Sequence, residues 1–257
     1  MIKMVSDIFQ SCKKGNLQDI TCYIDEGRDL NAKERGYNKK TLLHIASMYG
    51  HLDIVKILVS KGVDIESRTR TDETPLILAS CNENIDVVEY LLNNDADLEN
   101  ENNYGDTAFN CVIKNRKMKA AKYLESKNAD INHKNSFGNT PLMTAFSRGF
   151  SEEGIFLYDK LIEKSIEFDK NLLITEVIKY SRVDCMKELI KKGLSIAICD
   201  QLEAAPSKGN KLIKRGITRL ITPGTILEEG MLSAKKNNWL VSVLIDSHSN
   251  AEFIKWS

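Results

Sequence analysis

At 257 residues and 42% hydrophobic composition the chain can hold one elongated array or two small domains, and no apolar run approaches the roughly 20 residues of a membrane span. Lys plus Arg (36) balance Asp plus Glu (36), but unevenly: from 181 onward 12 basic residues face 8 acidic ones, so the earlier part is the more acidic. The start, Met1-Ile2-Lys3-Met4-Val5-Ser6-Asp7, lacks the apolar stretch of a secretory signal, which predicts a cytoplasmic protein.

In chain order, residues 5 to 33 read as a helix carrying Ile8, Phe9 and Cys12, a turn at Gly15-Asn16-Leu17, and a second helix with Ile20, Tyr23 and Ile24 before Gly27. A clearer copy comes next: Thr41-Leu42-Leu43-His44-Ile45-Ala46, the turn at Gly50-His51, the apolar positions Ile54, Val55, Ile57 and Leu58, and Gly62-Val63-Asp64-Ile65. Threonine returns every 33 residues, at Thr41, Thr74, Thr107 and Thr140. Its hydroxyl suits a helix N-cap, and Pro75 and Pro141 stand at first helical positions, where a missing N–H loses no bond. Aligning Gly15 with Gly50 takes 35 residues, so Glu34 to Lys40 is expected to hold a two-residue insertion at a loop tip.

A unit of this length cannot bury an apolar face alone and must stack on its neighbours. The units fall at about 5–36, 37–69, 70–102, 103–135, 136–168 and an eroded 169–193. Unit four is the least typical, with Ala108-Phe109-Asn110-Cys111. Unit five is predicted to have a second helix about one turn longer through Ile155, Phe156, Leu157, Leu161 and Ile162. The sixth pair would use Leu172, Leu173, Val177 and Ile178, then Met186, Leu189 and Ile190.

Period and motif together resemble the ankyrin repeat family, whose T-P-L-H-x-A pattern and 33-residue length these residues match. The predicted fold is mostly α: an ankyrin-repeat solenoid of five to six helix pairs with β-hairpin-like loops over 1–183, followed by a small mixed α/β fragment.

Past Gly193 the pattern changes. Ile196 to Cys199, Gly216 to Thr222 and Trp239 to Ile245 read as strands, with turn chemistry at Pro223-Gly224. The runs Ala197-Ile198-Cys199-Asp200-Gln201-Leu202-Glu203, Lys214-Arg215, Thr218-Arg219, Thr222-Pro223-Gly224-Thr225 and Asn237-Asn238-Trp239-Leu240, in that order, resemble the amino-terminal mismatch-recognition domain of the MutS family. That places a MutS-like domain I fragment at 184–250 and a tail at 251–257, whose Ala251 to Trp256 would open the family's connector domain. The helix Met186 to Lys192 can serve either fold.

Chemistry is sparse. Gly209-Asn210-Lys211 lacks the phosphate-loop frame, so the ATPase of the MutS family is absent. The one Phe-x-Glu, Phe150-Ser151-Glu152, has the form of that family's mismatch wedge, but it comes after Gly149, three periods on from Gly50, and reads as an inter-helix turn. His44 is expected to hydrogen-bond between repeats, as the resemblance implies, and His51 to belong to its turn. His133 and His248 have no acidic or cysteine partner at useful spacing. Cys12, Cys22, Cys81, Cys111, Cys185 and Cys199 have no C-x-x-C spacing and are expected to be free, mostly buried thiols. No catalytic group, metal or cofactor is expected, and no enzyme activity.

The array offers a surface. The resemblance implies that hairpin tips and first helices form a concave groove, and copying positions at period 33 yields Tyr37, Arg70, Asn103 and Ser136; Asn38, Thr71, Tyr104 and Phe137; Met48, Cys81, Lys114 and Ser147; Tyr49, Asn82, Asn115 and Arg148. Several are the residue types that dominate interface energetics. The predicted function is a non-catalytic, monomeric scaffold binding a partner protein, a host protein being one candidate, with no membrane contact. Export as an effector without a cleavable signal is the other localisation. The alternative function is mismatched-DNA binding by the carboxy-terminal segment, with Lys208, Lys211, Lys214, Arg215 and Arg219 on phosphates. Truncated remnant of a bacterial repair gene is the preferred account of that segment, and any nucleic-acid contact there is expected to lack sequence specificity.

Overall fold

The computed structural model describes residues 7–170, 173, 174, 177 and 183–193, together with the strand backbones at 196–201, 215–221, 241–244 and 252–253. The chain divides into two compact units, Met1–Pro141 and Leu142–Ser257. That division falls well before residue 183, where the sequence suggests a boundary.

The first unit holds four helix pairs: α1 (Ile8–Lys13) with α2 (Leu17–Asp25), α3 (Leu42–Tyr49) with α4 (Leu52–Ser60), α5 (Pro75–Cys81) with α6 (Ile85–Leu92), and α7 (Ala108–Lys114) with α8 (Met118–Ser126). First helices pack in the row α1, α3, α5, α7, and second helices in the row α2, α4, α6. A first helix is therefore covered on several sides, and α3 buries every residue from Leu42 to Ser47. A second helix buries one stripe only: Ile54, Val55 and Leu58 in α4, Val87, Val88 and Leu91 in α6, Ala120, Ala121 and Leu124 in α8.

Local chemistry sets the element ends. The hydroxyls of Thr41, Thr74 and Thr107 accept from the backbone N–H of His44, Ile77 and Asn110 at 3.4, 3.2 and 3.4 Å. These threonines are buried, so each bond satisfies a donor that water cannot reach. Left-handed backbone recurs three times per unit: at Gly15, Gly50, Glu83 and Arg116 between the helices, at Gly27, Gly62, Asp95 and Asn128 after the second helix, and at Lys39, Asp72, Gly105 and Gly138 in the tip. After each second helix Asp29, Asp64, Asp97 and Asp130 accept from the N–H two residues on, at 2.9 to 3.0 Å, which tightens the turn.

The tips are hairpin-like without strand ladders. Thr69, Asn102 and Asn135 each donate to the carbonyl four residues on, whereas Glu34 donates six residues on, to Lys40 at 2.8 Å. The two-residue insertion therefore sits between 34 and 40, where it lengthens an exposed loop and leaves the helices in register.

The second unit contains α9 (Pro141–Arg148), which begins at the division, α10 (Ser151–Glu163) and α11 (Val183–Lys191). At 13 residues α10 exceeds the 8 or 9 of α2, α4, α6 and α8 by about a turn. Gly154 is where α10 passes the Phe146 ring, since a Cβ there would lie 2.7 Å from the ring edge. Cys185, Met186, Leu189 and Ile190 of α11 are buried, α11 packs on α10, and Lys192 Nζ meets Asp159 Oδ2 at 2.6 Å. Leu173, Ile174 and Val177 are helical and buried. Leu172 and Ile178 lie outside the described residues.

Four strands complete the unit: β1 (Ile196–Gln201), β2 (Arg215–Ile221), β3 (Val241–Leu244) and β4 (Glu252–Phe253). They form one antiparallel sheet in the order β2-β1-β3-β4. Glu252 and Phe253 pair with Leu244 and Val243. The rest of the tail lies outside the described residues.

Candidate protein-binding face

In the first unit successive tips are joined by backbone bonds at period 33: Arg70 N–H to Asn38 O (2.8 Å), Asn103 N–H to Thr71 O (3.2 Å) and Ser136 N–H to Tyr104 O (3.0 Å). The main chain of the tips is consumed in this ladder, and their side chains are left to solvent. Gly105 is required there, because a Cβ would stand 2.5 Å from Ser136 N.

None of the sixteen positions copied from the period is buried. Tyr37, Tyr49, Arg70, Asn82, Asn103, Tyr104, Asn115, Ser136 and Phe137 are exposed, and Asn38, Met48, Thr71, Cys81 and Lys114 are half-buried. In the second unit Arg148 is exposed and Ser147 half-buried, its hydroxyl bonded to Thr144 O at 3.2 Å.

Some of these side chains serve the repeat itself. The Asn82 and Asn115 amides donate to the carbonyls of Leu78 and Cys111 four residues back, at 2.8 and 2.9 Å, and Asn103 donates to Arg70 O at 3.4 Å. Thr71 bonds Glu73 at 2.9 Å. The aromatic and cationic positions form pairs instead. The Arg70 guanidinium lies 4.6 Å from the Tyr37 ring centroid, Lys114 Nζ lies 5.4 Å from that of Tyr104, and Tyr49 stacks on His51 with centroids 6.2 Å apart. Lys114 is also held by the buried Asp106 at 3.0 Å. Pairs of this kind contribute about 0.5–1 kcal/mol each when exposed, enough to orient a side chain.

Sequence reasoning passed over the basic residues flanking Tyr37. Arg35 and Lys39 are exposed, and Lys40 Nζ sits 3.2 Å from Met48 Sδ. The signal was available: three cations within seven residues of the inserted tip.

The three described histidines make contacts within the repeat array. Thr41 N–H donates to His44 Nδ1 at 3.2 Å, so Nδ1 carries no proton, and Nε2–H donates to Glu73 O at 3.0 Å in the next unit. Burial lowers the His44 pKa to about 4. In unit four Asn110 occupies this place, bonded to Thr107 Oγ1 at 2.8 Å and to His133 O at 3.2 Å. His51 reaches back to Lys13 O at 2.9 Å, and Asn84, one period later, to Ser47 O and Met48 O at 2.8 and 2.9 Å. His133 is a correction: Nε2 lies 3.1 Å from Gly105 O and 3.3 Å from a Glu101 carboxylate oxygen, an acidic partner that folding brings from 32 residues upstream. His248 lies outside the described residues.

Burial raises the Cys12 pKa to about 12, with Sγ donating to Leu42 O at 3.4 Å. The Cys111 thiol is pushed up by the neighbouring Cys81 thiol and by burial. Cys185 is buried as well, but Cys22 is exposed and Cys81 half-buried. Phe150 caps α10 and donates its N–H to Ala145 O at 2.8 Å, with Glu152 in the first turn. The Phe-x-Glu run is thus a helix start, not a wedge.

Lys208, Lys211 and Lys214 lie outside the described residues. Arg219 pairs with Ile198 and Arg215 with Gln201, and the register shifts between Ile198 and Cys199.

Stacked helix pairs with capped starts and laddered tips define a helical repeat array. The sequence profile described as Ankyrin repeats (3 copies) matches residues 8–102, and that described as MutS domain I matches residues 160–230. The chain therefore carries ankyrin repeats followed by a MutS domain I segment, two kinds of domain that are themselves non-catalytic. The DNA mismatch repair protein MutS of Prochlorococcus marinus (strain NATL1A) is 86% identical over 70 residues, which is 27% of this chain and 8% of that protein. MutS of Prochlorococcus marinus (strain NATL2A) is 87% identical over 70 residues (27% and 8%), and that of Synechococcus sp. (strain WH7803) 56% over 69 residues (27% and 8%). The chain spans less than a tenth of these bacterial relatives.

Proposed function

We propose that the chain is a non-catalytic scaffold that binds a partner protein through the tips and first helices of its ankyrin repeats. The observation that carries this is the placement of exposed apolar surface. Of the six exposed large hydrophobic side chains among the described residues, Tyr37, Tyr49, Tyr104 and Phe137 stand at copied tip and helix-end positions. Aromatics that fold stability leaves in solvent are the usual anchors of an interface. A monomer in the cytoplasm is the working state. A Tyr49/Tyr104/Phe137 triple alanine variant tests it: the variant keeps its far-UV CD spectrum and loses the proteins captured by the full chain. Unchanged capture refutes it.

The second reading rests on the identity of the carboxy-terminal segment to MutS proteins. There, residues 184–250 are a mixed α/β domain I fragment that touches DNA through Lys208, Lys211, Lys214, Arg215 and Arg219. A remnant without DNA affinity is preferred, because the segment answers to only 8% of the length of the MutS protein it matches. A gel-shift titration at low salt decides: preference for mismatched over matched duplex supports DNA recognition, and equal or absent shifts dismiss it.

A further inference from the structure

We infer that the partner segment taken up at the tips of units two and three is an extended, carboxylate-rich peptide with an adjoining apolar side chain, held by Arg70, Lys39, Lys40 and Arg35 around Tyr37. The inference rests on the protein-binding reading above and narrows the partner's chemistry.

These four cations belong to one local structure. The loop from Glu34 to Lys40 closes on itself at 2.8 Å, and Arg70 is tied to it by its N–H to Asn38 O at 2.8 Å and by its guanidinium over the Tyr37 ring at 4.6 Å. Among the described residues none of the four forms an ion pair. Lys40 Nζ contacts only the Met48 thioether, and Glu34, the acid inside the loop, is engaged by Lys13 at 3.4 Å. Lys114, by contrast, is matched by Asp106 at 3.0 Å.

A guanidinium held over an aromatic ring keeps its fork of N–H donors, which lie in its own plane, free for a bidentate carboxylate. Tyr37 is 71% exposed, and the ring face away from Arg70 is free to take an apolar side chain beside the acid. The patch is small. Residues 1 to 141 carry 19 Lys and Arg against 21 Asp and Glu, so a nucleic-acid backbone would meet a net negative unit beyond these few cations. A short run of carboxylates matches the patch in size and charge.

The full chain is titrated into a fluorescein-labelled dodecapeptide, three glutamates around one leucine in a Gly/Ser background, and binding is read by fluorescence anisotropy. The same peptide with glutamines, and a single-stranded DNA dodecamer, are the comparison probes. Binding of the acidic peptide at least about tenfold tighter than the glutamine peptide is expected, falling at least about fivefold in R70A/K40A, with Arg70→Lys intermediate. These side chains are at the surface, so unchanged CD and melting temperature establish that the variants fold. No binding of the acidic peptide up to about 1 mM, equal binding by R70A/K40A, or tighter binding of the DNA overturns the inference. If R70A/K40A retains every captured protein while the Tyr49/Tyr104/Phe137 variant loses them, the acidic class fails and the protein-binding reading stands.

Discussion

Replacing Gly50 by alanine adds one methyl group and disturbs two separate features. The backbone at Gly50 has φ +74°, where a Cβ costs about 1–2 kcal/mol. The same Cβ would lie 2.7 Å from Asn84 Oδ1 and 2.9 Å from Asn84 Cγ. Asn84 cannot retreat without giving up its bonds to Ser47 O and Met48 O, carbonyls in the last turn of α3, of which Ser47 O otherwise accepts only a long bond of 3.4 Å from Gly50 N–H. Two such bonds contribute about 1 kcal/mol each, so Gly50→Ala is expected to cost about 3–4 kcal/mol. Gly62→Ala is the matched control: φ is +75°, but nothing lies within 4 Å of the added Cβ, and only the backbone cost of about 1–2 kcal/mol applies. Urea unfolding followed by far-UV CD measures both. In a double-mutant cycle Gly50→Ala with Asn84→Ala should fall short of additivity by about 1–2 kcal/mol, because the alanine at 84 has already removed the obstructing amide. Equal losses for Gly50→Ala and Gly62→Ala, or strict additivity, would refute the idea that these glycines exist to admit the side chain of the next unit.

Three further outcomes are expected at particular residues. His44 has its folded pKa lowered from 6.5 to about 4, so its neutral form favours the fold fully above pH 6.5, and that stability is lost as pH falls from 6.5 to 4. The loss amounts to about 3 kcal/mol, and chemical denaturation at pH 7 and pH 4.5 should show a smaller difference in His44→Asn, the arrangement unit four already uses with Asn110. Gly105→Ala forces a Cβ to within 2.5 Å of Ser136 N and should break the tip-to-tip bond, costing about 2–3 kcal/mol in thermal or urea unfolding. Gly138→Ala, with the same left-handed backbone and open space, should cost about 1–2 kcal/mol. With a thiol reagent at pH 8 and mass-spectrometric readout, exposed Cys22 should label first, while Cys12, raised to about 12 and buried, should label only on unfolding. Early labelling of Cys12 would contradict its placement under α3.

Among the features readable in advance, those set by near neighbours in the chain were the most accessible. A threonine hydroxyl three residues before its N–H partner, a proline at the first helical position and an apolar stripe at helical spacing are contained in short windows, so helix starts and the 33-residue period could be read directly. Length differences were readable for the same reason: the two extra residues at 34–40 and the extra turn of α10 both show as departures from the period. Left-handed positions were legible only where glycine fills them, since Glu83, Arg116, Lys39 and Asp72 adopt the same backbone under tertiary constraint.

Contacts between units were decided by the fold. Nothing in the sequence near His133 announces Glu101, and nothing near Tyr37 announces Arg70, because stacking brings together side chains roughly a full period apart. Sequence alone determined that this is a stack of helix pairs leading into a MutS-like segment, because those features are local and repeated. Which side chains the stack consumes and which it leaves exposed was decided by tertiary structure, because that depends on distances between units that no short window of sequence contains.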